Sequence, residues 1–223
     1  MAMERLNGRS SSTLPGTIFI VGLAGPSGCG KSTVAKHVAS RCNGHVISME
    51  TYALEMNHLP LEERAKLDYD APNATDVKLL ERHIRDYASG KAIEAPIYDF
   101  AKHLRVSDRQ EHIPSKSLLI VEGILALHFV ELRPLFDLSI YLEASEQICL
   151  HRRKVRDITE RQRSLDFIMC QYLNHVLPAA RRYAVPSRRY ADLILKSEAA
   201  LPAVEELLRD SIEERRLGYI RRG

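Results

Sequence analysis

The chain has 223 residues, of which 45% are hydrophobic, and its formal net charge is +3. This length predicts one α/β domain with a full core, and so small a charge excludes a dedicated nucleic-acid-binding protein. The four cysteines lack C-x-x-C spacing, which indicates reduced thiols in the cytoplasm and no metal site built from them. No stretch of eighteen apolar residues predicts a membrane span. We expect a flexible tail (residues 1–16) followed by a single domain (residues 17–223).

A glycine-rich segment follows the first predicted strand, residues 17–21, and precedes a predicted helix, residues 33–42. Its spacing, G-x-x-x-x-G-K-S, is that of a P-loop, in which backbone N–H groups surround a phosphate chain at the start of a helix. Lys31 would then reach the β- and γ-phosphates, and Ser32 would bind the Mg²⁺ that bridges them. A glycine-rich turn without function is the alternative. The predicted nucleotide-binding residues are Gly25, Pro26, Ser27, Gly28, Cys29, Gly30, Lys31, Ser32 and Thr33.

Two carboxylates stand at the ends of predicted strands. Glu50 follows the apolar run 45–48, and Glu122 ends the run 117–121. Ligands bind at the carboxyl edge of a parallel sheet, so both acids are predicted beside the P-loop. Either could hold Mg²⁺, and Glu50 could accept the proton of a substrate hydroxyl. For Glu122 the alternative is an acid that caps a helix N-terminus.

Strands and helices alternate along the chain, which predicts a doubly wound, five-stranded parallel sheet of the P-loop type. The further strands are predicted at residues 138–142 and 193–195, and the further helices at 76–89, 145–157 and 201–215. A charged, β-prone stretch, residues 91–112, predicts a hairpin that leaves this sheet. Such a hairpin is typical of a substrate-binding element.

Arginines are concentrated in residues 152–163, where the apolar content is too low for a core helix, so this segment is expected to face solvent or a polyanion. On charge alone a solvated face is an equal alternative. Beside a P-loop, we interpret residues 152–185 as an arginine-rich lid that binds phosphates and excludes water. The sequence contains no N-K-x-D-like motif of a GTPase. The P-loop, hairpin and lid together favour a small-molecule kinase.

Four further segments, together with the P-loop, resemble the uridine kinases within the phosphoribulokinase and uridine kinase group. Residues 47–52 are similar to S-x-D-S-F-Y, residues 68–76 to N-F-D-H-P-D-A-F-D, residues 96–105 to P-x-Y-D-F-x-x-H-x-R, and residues 153–163 to R-x-x-R-D-I-x-E-R-x-R. The resemblance spans about residues 18 to 195. It implies Mg²⁺- and ATP-dependent phosphorylation of the 5′-hydroxyl of uridine or cytidine, by a homo-oligomer as large as a tetramer.

The resemblance also implies roles for individual residues. Asp70 would hold the ribose hydroxyls, and Tyr98 and His103 would read the pyrimidine edge. The implied catalytic residues are Glu50, Lys31, Arg156 and Arg161; the implied nucleoside-binding residues are Asp70, Tyr98, His103, Arg153, Arg163 and Gln171; and the implied metal ligands are Ser32, Glu50 and Glu122.

Two positions depart from the family pattern. Glu50 stands where the family has Asp, and Ala53 stands where it has Tyr. Two other hypotheses therefore stay open beside a pyrimidine nucleoside kinase. One is a kinase of another riboside or of a sugar phosphate, and the other is a catalytically weakened relative that binds nucleotide. A substrate panel separates the first, and ATP binding without turnover identifies the second.

Overall fold

A computed structural model of the protein describes residues 18–64, 66–198 and 200–216. The predicted N-terminal tail, residues 1–16, and the first residue of the first predicted strand lie outside these ranges. Within them, no helix combines the length and the apolar character needed to cross a bilayer.

The central layer is a five-stranded parallel sheet, as predicted, with the strand order β2-β5-β1-β6-β7. All six residues of the middle strand, β1, are buried, because helices cover both faces of the sheet. The strands of the described residues are β1 (Phe19–Ala24), β2 (Gly44–Ser48), β3 (Ile93–Asp99), β4 (Leu104–Ile113), β5 (Leu118–Glu122), β6 (Leu138–Glu143) and β7 (Leu193–Lys196).

Three helices begin directly after a residue that offers a capping oxygen. Asp76, Ser145 and Ser164 accept hydrogen bonds from the backbone N–H groups three residues ahead, at 3.1, 3.3 and 3.2 Å. The helices are α1 (Lys31–Arg41), α2 (Leu61–Arg64), α3 (Val77–Ala88), α4 (Glu146–Thr159), α5 (Leu165–Gln171), α6 (Leu177–Ala179), α7 (Val185–Ser187) and α8 (Ala200–Arg216). Two π-helical turns, Tyr172–Val176 and Ala180–Ala184, join α5, α6 and α7 into a nearly continuous rod.

The hairpin β3–β4 leaves the five-stranded sheet, as predicted, and forms a two-stranded sheet of its own. Ile93, Ala95 and Ile113 at its base are buried in the apolar layer beneath α3. One prediction needs correction. The arginine-rich run does not simply face solvent. Its first part lies in α4, where Arg153 and Asp157 are 5% and 0% exposed. The expectation was wrong because α4 buries charged side chains against the site, so its low apolar content does not mean that it faces solvent.

The hydroxyl of Tyr87 ties α3 to the sheet. Tyr87 is fully buried, and its hydroxyl donates to the carbonyl oxygen of Leu118 at 3.2 Å while it accepts from the N–H of Lys116 at 3.0 Å. His45 Nδ1 lies 3.2 Å from the same oxygen. One side chain thus joins a helix, the start of β5 and the edge strand β2.

We expect Tyr87→Phe to lower the free energy of unfolding by about 1–3 kcal/mol, because it leaves a buried N–H and a buried carbonyl without their partner. Denaturant unfolding measures the loss. Tyr183→Phe removes a hydroxyl from a half-buried ring elsewhere and is the matched control. Equal stability of the two variants would contradict the role given to the Tyr87 hydroxyl.

Candidate functional site

The register of the sheet brings three predicted groups to one edge. Leu23, one residue before the end of β1, pairs with Glu122, and Ser48, the last residue of β2, pairs with the same glutamate. Glu50 follows Ser48 within a 3₁₀ turn. The P-loop, which follows β1, and the two acids therefore lie together at the carboxyl edge of the sheet.

The P-loop needs its glycines for both conformation and space. Gly28 and Gly30 have φ values of 85° and 104°, a region that disfavours other residues. A Cβ on Gly28 would also overlap the carbonyl oxygen of Cys149 in α4. The loop is therefore packed directly against the helix that carries the arginines. Arg152 adds a hydrogen bond from its Nη1 to the carbonyl oxygen of Cys29 at 3.2 Å.

Lys31 and Ser32 stand at the start of α1 beside Glu122. The Lys31 side chain is buried and its Nζ donates to the carbonyl oxygen of Pro26 at 3.0 Å. Ser32 Oγ donates to Glu122 Oε1 at 2.9 Å. Burial raises the pKa of Glu122, and the nearby Lys31 opposes that shift. A hydroxyl and a carboxylate in contact are oxygen ligands of the kind that Mg²⁺ prefers, so this pair fits the predicted metal site.

A cavity lies between the hairpin, the segment after β2 and the helix α5. We call it the acceptor cavity. A second groove adjoins it, lined by Ser32, Glu122 and Arg156 on the P-loop side and by residues 95–96 and 98–101 of the hairpin, and we call it the triphosphate groove. The residues that line both spaces are Glu50, Tyr98, Phe100, His103, Arg161 and Arg163. All six predicted nucleoside-binding residues line the acceptor cavity: Asp70, Tyr98, His103, Arg153, Arg163 and Gln171.

Glu50 is ionised at neutral pH in this setting. Burial alone would raise the pKa of its carboxyl, but Arg161, Arg156 and Lys31 outweigh burial, and the pKa is lowered. Arg161 Nη2 donates to Glu50 Oε2 at 3.4 Å. The Glu50 side chain keeps 39% of its surface exposed, so it is accessible from the cavity. A charged carboxylate placed between two binding spaces can accept a proton from a hydroxyl.

The pKa of Asp70 is shifted in the opposite direction to that of Glu50. Burial is the main cause that raises its pKa to about 6, and the charges of Glu50 and Asp68 add to the shift against the pull of Arg153. In the absence of ligand the carboxyl is therefore close to half-protonated under mildly acidic conditions. Hydroxyl groups of a ligand would donate hydrogen bonds to the Asp70 carboxyl in place of the water that burial removes.

His103 is held in an unusual conformation and a neutral state. Its φ is 50°, and the hydroxyl of Tyr69 donates to its carbonyl oxygen at 3.2 Å while the Tyr69 ring stacks on the imidazole at 5.6 Å. Burial and then Arg163 lower its pKa to about 4. Arg163 Nη2 lies 3.3 Å from His103 Nε2. Because a guanidinium can only donate, Nε2 must accept and the proton is assigned to Nδ1.

The arginines of the lid converge on Asp157, which sequence analysis did not single out. Arg156 Nε donates to Asp157 Oδ1 at 2.8 Å, and Arg163 Nη1 donates to Oδ2 at 3.3 Å. Arg161 and Arg153 lie 3.6 and 3.7 Å from the same carboxylate. Arg156 Nη2 also lies 2.8 Å from Asp157 Oδ1. Arg153 Nε is buried without a hydrogen-bond partner among the described residues. Phosphate oxygens are acceptors that guanidinium donors fit.

Sequence reasoning also missed residues that act on His103 or line the cavity. Tyr69 stacks on His103, and Arg64 donates to the carbonyl oxygen of Lys102 at 3.0 Å. His175 lines the acceptor cavity from the first π-helical turn. A signal existed for His175, since it follows Gln171 by four residues on the same helical rod. No local pattern marks the other two, because their contacts cross more than thirty residues.

Several known proteins are similar to this chain in sequence. The profile described as the Phosphoribulokinase / Uridine kinase family matches residues 20–201. The chain belongs to this family. A protein named uridine kinase from Clostridium tetani (strain Massachusetts / E88) is 42% identical over 180 residues, which are 79% of this chain and 86% of that protein. Another, from Ligilactobacillus salivarius (strain UCC118), is 37% identical over 203 residues, covering 88% of this chain and 95% of that protein.

A solved structure is also similar to this chain in its fold. The structure, named as a candidate fructose transport system kinase from Silicibacter sp. TM1040, has a TM-score of 0.65 and 25% sequence identity, and it covers 86% of this chain and 93% of that chain. The predicted P-loop kinase fold and the family resemblance are both confirmed.

We expect Asp70→Asn to stabilise the free protein at pH 8 by about 1 kcal/mol, with solvent screening allowed for, and to have little effect at pH 4. The folded-state pKa of about 6 lies above the ordinary value of 3.8, so ionisation of Asp70 destabilises the fold progressively as the pH rises through this range. Thermal unfolding at both pH values measures the effect. Asp108→Asn, at an exposed carboxylate of β4, is the control. A loss of stability at pH 8 would contradict this account.

Proposed function

We propose that the protein transfers the γ-phosphoryl group of ATP, with Mg²⁺, to the 5′-hydroxyl of uridine or cytidine. One observation carries the proposal. Glu50, an ionised carboxylate, lines both the triphosphate groove and the acceptor cavity, so it stands where an acceptor hydroxyl would meet a terminal phosphate. The relatives named uridine kinase supply the acceptor class.

The triphosphate end would be held by the P-loop, Lys31 and Arg156. The P-loop offers backbone N–H groups at the N-terminus of α1. Lys31 Nζ lies 3.0 Å from the carbonyl oxygen of Pro26 and 4.0 Å from Cys29 Sγ. Arg156 lines the groove, and its Nη2 lies 2.8 Å from Asp157 Oδ1. Ser32 and Glu122 would hold Mg²⁺, which supplies charge neutralisation at the phosphates when it is bound.

The acceptor end would recognise a nucleoside through complementary groups. Asp70 would accept hydrogen bonds from two ribose hydroxyls, which favours its ionised form. The phenol of Tyr98 stays protonated, since burial raises its pKa, and it can donate to a base carbonyl. His103 is neutral, and its Nδ1–H can donate to the base while Nε2 accepts from Arg163.

In the reaction, the 5′-oxygen forms a bond to the γ-phosphorus while the bond from that phosphorus to the β–γ bridging oxygen breaks, and ADP leaves. Glu50 accepts the hydroxyl proton. Arg161 and Arg156 lie beside the groove and would stabilise the charge on the transferring group. Positioning and electrostatic stabilisation by this chain's residues are the main requirements of such a transfer.

Two departures from the family pattern bear on the acceptor. Ala53 lies in the wall of the acceptor cavity and forms an antiparallel bridge with Thr75. A tyrosine there would fill part of the cavity. Glu50 is one methylene longer than Asp, and it reaches Arg161 of the lid. Both departures leave the cavity and the carboxylate in place.

The test is release of ADP from Mg·ATP with uridine, cytidine, other ribosides, sugar phosphates and fructose as acceptors. Lys31→Ala is the blank. We expect turnover with uridine or cytidine, absent from the blank, and little with the other acceptors. Turnover with a different acceptor alone would replace the proposed substrate, and ATP binding without any turnover would identify a nucleotide-binding relative.

We expect Glu50→Gln to lower kcat by about 100-fold or more, since loss of a general base typically costs 10²–10⁴-fold. Affinity for a non-hydrolysable ATP analogue should be retained, because Glu50 only competes with phosphate oxygens for Arg161 and does not itself bind phosphate. Glu50→Asp keeps the base and is the matched variant. If Glu50→Gln retained more than a tenth of kcat, another group would be the proton acceptor.

Cytoplasmic location and a homo-oligomer as large as a tetramer stay predictions for this chain. All four cysteines are free in the structure, which is consistent with a reducing compartment. Light scattering of the purified full chain measures the number of subunits.

A further inference from the structure

Asp157 is the common partner of four arginines, and no role in the reaction has been derived for it above. It lies near the end of α4 and is fully buried. Its two oxygens divide the guanidinium groups between them. Oδ1 faces Arg156 at 2.8 Å and Arg161 at 3.6 Å, while Oδ2 faces Arg163 at 3.3 Å and Arg153 at 3.7 Å.

The four arginines reach both binding spaces. Arg156 lines the triphosphate groove, and Arg161 and Arg163 line both spaces. Arg153 lines the acceptor cavity, and its Nη1 donates to Ser27 Oγ of the P-loop at 2.9 Å. Arg153 and Arg163 both donate to Gln171 Oε1, at 2.7 and 3.3 Å. One carboxylate therefore connects guanidinium groups that reach the nucleotide side with groups that reach the acceptor side.

The backbone is arranged around the same carboxylate. After α4 ends, the chain reverses at Gln162, whose φ is 53°, and the N–H of Arg163 donates to the carbonyl oxygen of Asp157 at 3.0 Å. Arg161 follows Asp157 by four residues, and the reversal after it brings Arg163 back to the same carboxylate. Four like charges repel one another at such spacing, and a buried opposite charge between them fixes where they point.

We infer that Asp157 is a positioning residue for phosphoryl transfer that couples the triphosphate groove to the acceptor cavity. Phosphate oxygens compete with Asp157 for Arg156 and Arg161, so occupation of the groove changes how firmly Asp157 holds Arg153 and Arg163. By linkage, occupation of the acceptor cavity changes triphosphate affinity by the same factor. The inference rests on the proposed function only for the identity of the acceptor.

Titration calorimetry on the full chain tests this with Mg²⁺ and a non-hydrolysable ATP analogue, with and without saturating uridine. Asp157→Asn removes the charge at nearly constant volume, and Asp210→Asn, at an exposed carboxylate of α8, is the matched control. We expect Asp157→Asn to weaken analogue binding about tenfold and to abolish the effect of uridine on it. We expect kcat to fall about tenfold or more, since small misplacement of reacting groups is costly.

A double-mutant cycle with Arg156→Ala separates positioning from general destabilisation. If Asp157 acts through Arg156, the effect of Asp157→Asn on analogue affinity should shrink to about threefold or less in the Arg156→Ala background. Additive effects would overturn the inference. So would an Asp157→Asn protein that melts at a lower temperature but matches Asp210→Asn in analogue affinity, kcat and KM.

Asp157→Glu keeps the inference testable if Asp157→Asn does not fold. It retains the charge but moves it by one methylene, so analogue affinity should fall at least about threefold if placement matters. Affinity equal to that of Asp210→Asn would overturn the inference. Absence of uridine turnover in the wild-type protein would instead reject the proposed function, because the measurements with the analogue alone require no acceptor.

Discussion

The parallel register of β1, β2 and β5 is the constraint on which the site depends. It places Glu122 opposite Leu23 and Ser48, and the backbone N–H of Gly123 donates to the carbonyl oxygen of Leu23 at 3.1 Å. A shift of one residue would turn Glu122 to the other face of the sheet and remove its contact with Ser32. Because β1 and β5 are almost wholly apolar and wholly buried, such a shift would also expose the core. Core packing and the chemistry of the site thus require the same register.

Opposite charges are distributed unevenly within the site. The P-loop and lid contribute Lys31 and four arginines, against three buried or half-buried acids at the same edge and Asp157 in the lid. Burial raises the pKa of Glu122 and Asp70, while the surrounding cations lower the pKa of Glu50 and Asp157. The pKa values of neighbouring carboxylates are therefore shifted in opposite directions because of where the cations lie. The excess of positive charge is complementary to a polyphosphate.

Local sequence was enough to predict the sheet, the P-loop and the hairpin, because each depends on residues close together in the chain. The end of β1 was predicted three residues too early, at residue 21, because the apolar run continues to Ala24. The candidate site residues could be grouped because their motifs follow strand ends. What local sequence could not give was the burial of Arg153 and Asp157, since it requires the chain to reverse at Gln162. The stacking of Tyr69 on His103 likewise joins segments that only the fold brings together.

The packing of Gly28 against Cys149 has a consequence for motion during turnover. With no space for even a methyl group between them, the P-loop and the start of α4 are in direct backbone contact. We therefore expect the nucleotide end to be ordered before any substrate arrives. The hairpin tip, by contrast, contacts Arg64 and Tyr69 through single hydrogen bonds and stacked rings. We expect the entropy lost on closing around two substrates, and the slow opening and closing steps, to belong to that half of the molecule.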